Sequence, residues 1–379
     1  MRLRKRSAAV QKEAGSAVRV RLAVGSPVLL RALICLGLWA STRPLAAQDG
    51  QLLSGEVTCE RCRIAFDTVV TIGGLDGPGL HVVARPSKVA VDRLGRIIVT
   101  VTPIPEISVF DSKGRFLRTV GRSGEGPGEY RAISHVNAGP GYIHVFAHSQ
   151  GRVLLDYDFN VVRMDRFPGQ VNSSFVTESD DVIFSADVPT QRAVGHKFHI
   201  LSPSGEMTSF GGEGSVYRGR SSTFYKLTGD GANTVWAVRG GANIATRWTL
   251  TPEPRVEREF ARQLEAFDDG RSDPPMFPSS WNMGLMLDGD GLWIVWRAPD
   301  LEWGERVPAG SPMTEAPPRL EYDGWLDLVD PDTGLTIARH RNDGHLLGFA
   351  QGSRYIVAYH ETDEGVPYLH LLEPRLSGS

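Results

Sequence analysis

The glycine-rich stretch GRSGEGPGEY, residues 121–130, has the residue types most suited to an active-site loop in this sequence. A dinucleotide-binding loop needs a strand before its glycines and a helix after them, and a P-loop also needs a Lys-Ser/Thr pair. A nucleophile elbow needs glycine two residues after the serine, where this sequence has Glu125. Because Pro127 is followed by no helical pattern, we predict a corner between two strands. Arg122, Glu125 and Glu129 are expected to pin that corner or to face a binding site.

The cysteines in TCERCRIAF are a second candidate for chemistry. Cys59 and Cys62 have the spacing of a redox pair, but such a pair needs a helix start to lower the thiol pKa, and a strand-like run follows here. A metal site would need two further ligands, and haem attachment would need His where Arg63 stands. In an oxidising compartment a close pair favours a structural disulfide, which we predict, with redox and metal roles as alternatives.

The first 47 residues have the order of a secretory signal peptide, a basic leader before a short apolar run. The run from Val28 to Ala40 is too short to span a bilayer, and Ala46 and Ala47 offer a cleavage site. Its removal takes nine bases and one acid from totals of 41 and 44, leaving a net charge of about −11. A chain this acidic, without a basic run, is a poor nucleic-acid binder. We expect a soluble periplasmic or secreted protein with no membrane span and no nucleic-acid partner.

Six repeats must position these residues, each a turn followed by a short apolar or aromatic run. The runs lie between 40 and 63 residues apart and read DRLGRIIVTV, GPGYIHVFA, SDDVIFSA, GANTVWAV, DGDGLWIVW and QGSRYIVAY. A second strand follows each run, and a third follows in the first five repeats. With a shorter inner strand, each repeat makes a four-stranded sheet. Sheets repeated at this period predict an all-β fold, a six-bladed β-propeller.

The sixth repeat lacks its last strand, and RIAFDTVVTIG at residues 63–73 is the segment that can supply it. Pairing this N-terminal strand with the last blade would close the ring and remove exposed sheet edges. The predicted organisation is a signal peptide (1–47), an arm with the Cys pair (48–62), the propeller (63–373) and a tail (374–379).

The repeats PSKVAVDRLGRIIVTV and ISVFDSKGRFLRTVG resemble the NHL repeat, although repeats three to five lack its Pro and Asp before the second strand. GRSGEGPGEY, HETDEGVPYLHLLEP and the Cys-x-x-Cys pair before the first strand are similar to a group of exported bacterial six-bladed β-propeller proteins. The resemblance implies a binding platform and supplies no catalytic residues.

The loops that enter each inner strand line one mouth of a propeller channel, where ligands usually bind. From these loops we predict six ligand-binding residues: Arg85, His135, Ser174, Ser222, Trp281 and His345. Small hydroxyls with two histidines, an arginine and a tryptophan suit a polar ligand or a peptide. The alternative is structural, because serine also ends strands and satisfies turn backbones.

The acidic turns DGDG at 288–291 and ESDD at 178–181 are shorter than an EF-hand loop, and Asp and Gly favour turns by themselves. We predict no metal ligand and no cofactor, although calcium held by acids from several blades, as in six-bladed lactonases, would leave no local pattern. The expected function is non-catalytic binding, by a monomer, of a protein, peptide or carbohydrate. The alternative is a calcium-dependent lactonase, an esterase-like hydrolase or a lyase at the same mouth.

Overall fold

A computed structural model describes residues 51–74, 88–101, 104–189, 195–212, 224–267, 279–300 and 322–378. In these ranges six sheets, each with four antiparallel strands, are arranged as a ring, one of them has an additional parallel edge strand, a separate two-stranded parallel sheet is also present, and there is no helix. The fold is therefore the predicted six-bladed β-propeller. Within the described ranges, no helix has the length and apolarity needed to cross a membrane.

Blades 1 to 5 place their four main strands in chain order from the channel outwards. Blade 1 consists of β3 Lys88–Val91, β4 Ile97–Thr100, β5 Ile107–Phe110 and β6 Phe116–Val120. Blade 2 consists of β9 Ile133–Ala138, β10 Ile143–Ala147, β11 Gly151–Leu155 and β12 Val161–Asp165. Blade 3 consists of β13 Val171–Val176, β14 Val182–Ala186, β15 Phe198–Leu201 and β16 Met207–Phe210. Blade 4 consists of β17 Tyr225–Gly229, β18 Thr234–Arg239, β19 Ile244–Thr249 and β20 Arg255–Gln263. Blade 5 consists of β21 Trp281–Asp288, β22 Gly291–Pro299, β23 Tyr322–Val329 and β24 Thr336–Asn342. Blade 6 consists of β25 His345–Phe349, β26 Ile356–Glu361, β27 Pro367–Ser377 and β2 Arg63–Gly73. In blade 6 the first three of these strands follow in this order from the channel, and β2 is the outermost strand.

The second strand of each blade is mostly apolar because both of its faces are buried between blades. Ile97 packs between blades 6 and 1, whereas its neighbour Ile98 packs between blades 1 and 2. Trp293 and Ile294 divide in the same way between the two sides of blade 5. The core is thus a ring of six apolar clusters, one at each interface between neighbouring blades.

Strand β2 closes the ring as predicted. It pairs antiparallel with β27 over its whole length, from Arg63 opposite Ser377 to Gly73 opposite Tyr368. The first residue of β2, Arg63, still pairs with Ser377. Strand β27 therefore continues to Ser377, into the segment 374–379 that was predicted as a tail. Closure joins the two ends of the propeller through a long ladder of backbone hydrogen bonds.

The arm before β2 crosses the outside of two further blades. Strand β1, Gln51–Ser54, adds a parallel fifth strand to blade 4 beside β20. Thr58 N then donates to Thr336 O of blade 5 at 2.8 Å. The Cys59–Cys62 disulfide is present, with 5.3 Å between its Cα atoms, and Cys62 is buried between blades 5 and 6. The predicted disulfide is confirmed, and it anchors the arm where the ring closes.

Buried arginines join neighbouring blades. Arg152 of blade 2 donates to the carbonyl oxygens of Leu201 and Ser202 in blade 3, at 3.2 and 2.6 Å. Arg262 of blade 4 donates to Asp327 of blade 5 at 2.8 Å. The planar guanidinium suits such multiple contacts, so these cations are part of the scaffold.

Candidate ligand site in the propeller channel

The innermost strands β3, β9, β13, β17, β21 and β25 lie side by side around a central channel. Ala90 of β3 forms a bridge with Gln351, just after β25, which completes the circle. Because every blade repeats the same order of antiparallel strands, the six inner strands run in one direction. Their first residues meet at one end of the channel, the upstream mouth, and their last residues at the other, the downstream mouth.

A cavity of about 30 Å³ lies in the channel towards the upstream mouth, and we call it the inner cavity. It is large enough for about two water molecules or one small polar group. Its polar lining is Lys88, His135, Ser173, Lys226 and Gln351. Within the part of the chain that the structure describes, no carboxylate lines it.

Two lysines dominate the charge of the inner cavity. Lys88 is the first residue of β3 and Lys226 the second of β17, and both keep some accessible surface because they face the channel. Protein nevertheless surrounds them, and burial lowers the pKa of Lys88 from 10.5 to about 8. Burial, followed by the charges of Lys88 and Arg297, lowers the pKa of Lys226 well below its usual value. An anion between the two amines would favour their charged forms.

His135 adds an open hydrogen-bonding group to this cavity. It is the third residue of β9 and is only 1% exposed. Its ring lies near the Ser174 backbone, yet within the described ranges neither nitrogen has a hydrogen-bond partner of good geometry. Burial first, and then Lys88 and Lys226, lower the pKa of His135 well below its usual value, so the imidazole is neutral at pH 7. A neutral imidazole offers a ligand one donor and one acceptor.

The downstream mouth contains a cavity of about 360 Å³, which is larger than the inner cavity. It shares Leu227, Leu285, Phe349 and Gln351 with the inner cavity, so the two spaces are adjacent along the channel. Arg354 lies in this mouth, where its guanidinium is 3.6 Å from a carboxylate oxygen of Asp288. A ligand with one small group in the inner cavity has room for its remaining atoms here.

The predicted ligand residues have different locations in the structure. His135 lines the inner cavity. Ser174 is fully buried, and its hydroxyl accepts a hydrogen bond from the side-chain amide of Asn137. Its neighbour Ser173 lines the cavity instead and accepts a hydrogen bond from Leu227 N at 3.0 Å.

The remaining four residues do not line the inner cavity or lie outside the described ranges. Trp281 packs so closely on Gly240 of blade 4 that a Cβ there would lie 2.4 Å from the indole ring. His345 is 4% exposed and meets the Tyr322 ring edge-on, at 6.0 Å between centroids. The other two, Arg85 and Ser222, belong to segments outside the described residues.

The two lysines are the site residues that the sequence interpretation missed. A signal was present, because the sequence after residue 47 has only four lysines, Lys88, Lys113, Lys197 and Lys226, against 28 arginines. Two of these rare lysines stand at the start of an inner strand.

The glycine-rich stretch at residues 121–130 is a corner before blade 2, where β7 Arg122–Ser123 pairs with β8 Glu129–Tyr130. The Glu129 carboxylate accepts hydrogen bonds from Gly126 N at 2.9 Å and from Arg122 Nε at 2.9 Å. These two contacts lower its pKa, the Gly126 amide most. Gly121 is at φ 88°, and a Cβ there would lie 2.5 Å from the Tyr130 ring. Glu129 therefore holds the corner in shape.

An acidic group lies elsewhere, at the strand ends of blade 5. Carboxylate oxygens of Asp300, Asp323 and Asp343 lie within 4.8 Å of one another, as in sites that hold a divalent cation. Arg341 Nε donates to Asp323 at 2.9 Å and so already balances one of these charges. None of the three lines the inner cavity.

Comparisons with known proteins agree with the fold. A family model named DUF5128 and described as a 6-bladed beta-propeller matches residues 81–210. No curated protein matches the sequence. The chain is similar to the structure of a putative exported protein from Bacteroides fragilis, with a TM-score of 0.52, 13% identity, and coverage of 86% of this chain and 99% of that one.

A member of the duf4221 family from Bacteroides vulgatus is similar with a TM-score of 0.53 and 9% identity, covering 84% of this chain and 99% of that one. A putative 6-phosphogluconolactonase from Bacteroides uniformis has a TM-score of 0.44 and 12% identity, with coverage of 78% and 85%. At these identities the first two similarities concern the fold alone, and the third carries no argument about activity. The likeness to NHL repeats stays a prediction.

Proposed function

We propose that this chain is an exported binding protein whose channel holds the anionic group of a small ligand. The observation that carries the proposal is the convergence of Lys88, Lys226 and the open His135 ring on one small cavity without a described carboxylate. Two partly buried amines that have no counter-ion among the described residues favour an anion, because its charge offsets the cost of their burial.

The size of the inner cavity narrows the ligand class. About 30 Å³ admits a carboxylate or a similarly small anionic group, whereas a sugar ring needs more room. Small carboxylates therefore suit the site better than the carbohydrates expected from the sequence. A peptide would fit through its terminal carboxylate, with its other atoms in the downstream mouth.

The proposed location is the periplasm or the cell exterior. An exported protein is among the structural neighbours, and the signal-peptide pattern in the first 47 residues leads to the same proposal. A ring closed by β2 and anchored by a disulfide suits an oxidising compartment.

Isothermal titration calorimetry with L-lactate, a small carboxylate without a ketone, tests the proposal. Lys88→Met is expected to weaken lactate binding at pH 7 at least about tenfold, because it removes a charge-assisted contact. Lys113→Met is the matched control, since Lys113 is exposed on blade 1 and should not affect binding. Equal affinities in the wild type and Lys88→Met, or no lactate binding by the wild type, would contradict the proposal.

A further inference from the structure

The inner cavity is lined by lysine, which is much rarer than arginine in the rest of this protein. The sequence after residue 47 has four lysines and 28 arginines, and two of the four lysines line the inner cavity. An arginine would hold an anion at least as well, and it stays charged under all ordinary conditions. A lysine differs in one chemical respect, because burial can convert it into a neutral, nucleophilic amine.

The surroundings of the two amines differ. Lys226 has two cationic neighbours, Lys88 and Arg297, in addition to its burial. Burial is the single cause that lowers the pKa of Lys88, to about 8, so Lys88 is mostly protonated at pH 7. Lys226 is thus the better nucleophile and Lys88 the better partner for an anion, a division of roles that a pair of like charges commonly produces.

Building on the proposed anion site, we infer that the inner cavity captures small oxoacids, carboxylates with an adjacent ketone or aldehyde, as a reversible imine on Lys226. Lys88 holds the carboxylate and so brings the neighbouring carbonyl carbon to the second amine in the same cavity. Leu227, the next residue after Lys226, is fixed by its hydrogen bond to Ser173, which limits movement of the strand that carries the nucleophile.

The reaction is balanced without an oxidant or a reductant. The nitrogen lone pair of Lys226 forms a C–N bond to the carbonyl carbon, and the π electrons of the C=O bond move to oxygen. A proton then passes from nitrogen to that oxygen. The neutral His135 ring lines the same cavity and can carry this proton, because neither of its nitrogens has a hydrogen-bond partner of good geometry among the described residues. The remaining proton on nitrogen is then transferred to the hydroxyl group, which leaves as water while the nitrogen electron pair forms the C=N bond, so both protons of the amine end in the water released. Hydrolysis reverses these steps and releases the oxoacid.

Reductive trapping with pyruvate tests the inference. Pyruvate and lactate differ at one carbon, so pyruvate is the carbonyl probe and lactate the control. The full-length exported form is incubated with pyruvate and sodium cyanoborohydride, and the adduct is mapped by peptide mass spectrometry over Lys88, Lys113, Lys197 and Lys226. We expect at least tenfold more adduct at Lys226 than at Lys113. Excess lactate should protect Lys226.

Two variants separate chemistry from folding. Lys226→Arg keeps the positive charge and should abolish the adduct while the melting temperature (Tm) and circular dichroism spectrum remain those of a folded propeller. Lys88→Met keeps the nucleophile but should reduce trapping at least tenfold through loss of the carboxylate contact. Both results support the imine on Lys226.

Other outcomes overturn the inference in distinguishable ways. Adduct spread evenly over the four lysines, or placed on Lys88, refutes Lys226 as the nucleophile. Lactate binding without pyruvate trapping refutes the imine and leaves the anion site intact. If neither lactate nor pyruvate binds, the proposed function fails together with the inference.

Discussion

The affinity of the channel for lactate should fall about tenfold between pH 7 and pH 9. Lys88, with a pKa of about 8, is about nine-tenths protonated at pH 7 and about one-tenth protonated at pH 9. The lactate carboxylate stays ionised over this range. Because the carboxylate prefers the ammonium form, the apparent affinity follows the protonated fraction of Lys88.

The other charged groups around Lys88 do not reverse the sign of this dependence. Burial, Lys88 and Arg297 also lower the pKa of Lys226. Any proton that Lys226 loses between pH 7 and pH 9 removes positive charge from the cavity and so weakens anion binding further. His135, with its pKa lowered by burial and by both lysines, is neutral throughout. The Arg297 guanidinium keeps its charge.

Calorimetry at pH 7, 8 and 9 and constant ionic strength measures this effect. Two buffers with different ionisation enthalpies reveal proton uptake on binding, which should be largest near pH 8 and above. Lys88→Arg carries a charge that does not titrate, so its affinity should depend less on pH than that of the wild type. A wild-type affinity that is constant, or that rises, between pH 7 and pH 9 would refute the role given to Lys88.

Three further outcomes are expected. Lys88→Met should raise Tm at pH 7 while it weakens lactate binding, because the charged amine costs the native state at most about 3 kcal/mol of desolvation, from the shift of its pKa from 10.5 to about 8. For the same reason the stability of the wild type should rise relative to that of the variant between pH 8 and pH 10.5, whereas Lys226, whose pKa is also lowered, titrates in both proteins. Thermal melts of both proteins over this range check the difference. Glu129→Ala should lower Tm by a few degrees and leave lactate affinity unchanged, and unchanged melting with lost binding would show that Glu129 serves the ligand. Replacing both Cys59 and Cys62 by Ser should lower the free energy of unfolding by about 2 kcal/mol, the value for a short loop, in chemical denaturation without reductant, whereas full stability would exclude a structural role for the disulfide.

Much of the fold could be predicted because the second strands of the blades carry a strong signal. Residues such as Ile97 and Ile98 are buried on opposite faces, so these strands are mostly apolar and stand out between turns. The closing strand β2 was predicted because the last repeat lacked a partner that the N-terminal segment could supply. Both signals come from burial and strand pairing, which follow directly from residue type.

The channel could be predicted only in part because its lining depends on strand register. The pairing of β13 with β14 shifts between Val171 and Ser173, so Ser173, and not Ser174, faces the cavity. A one-residue change of register reverses which side chains face inwards, and residue types alone do not reveal such shifts.

Trp281 illustrates a second difficulty. A tryptophan at the start of an inner strand suits a ligand site by its residue type, but Gly240 in the neighbouring blade leaves room for its ring to pack there. Contacts of this kind join residues of different blades, and a single sequence does not show which distant glycine matches which aromatic ring.

The most direct test of the anion site is a crystal structure of the protein grown with selenate, whose selenium atom is located by anomalous scattering. The proposal predicts an anomalous peak in the inner cavity, within hydrogen-bonding distance of the Lys88 and Lys226 amines, and loss of that peak in Lys88→Met. Selenate bound only at surface arginines, with the inner cavity holding water or nothing, would contradict it.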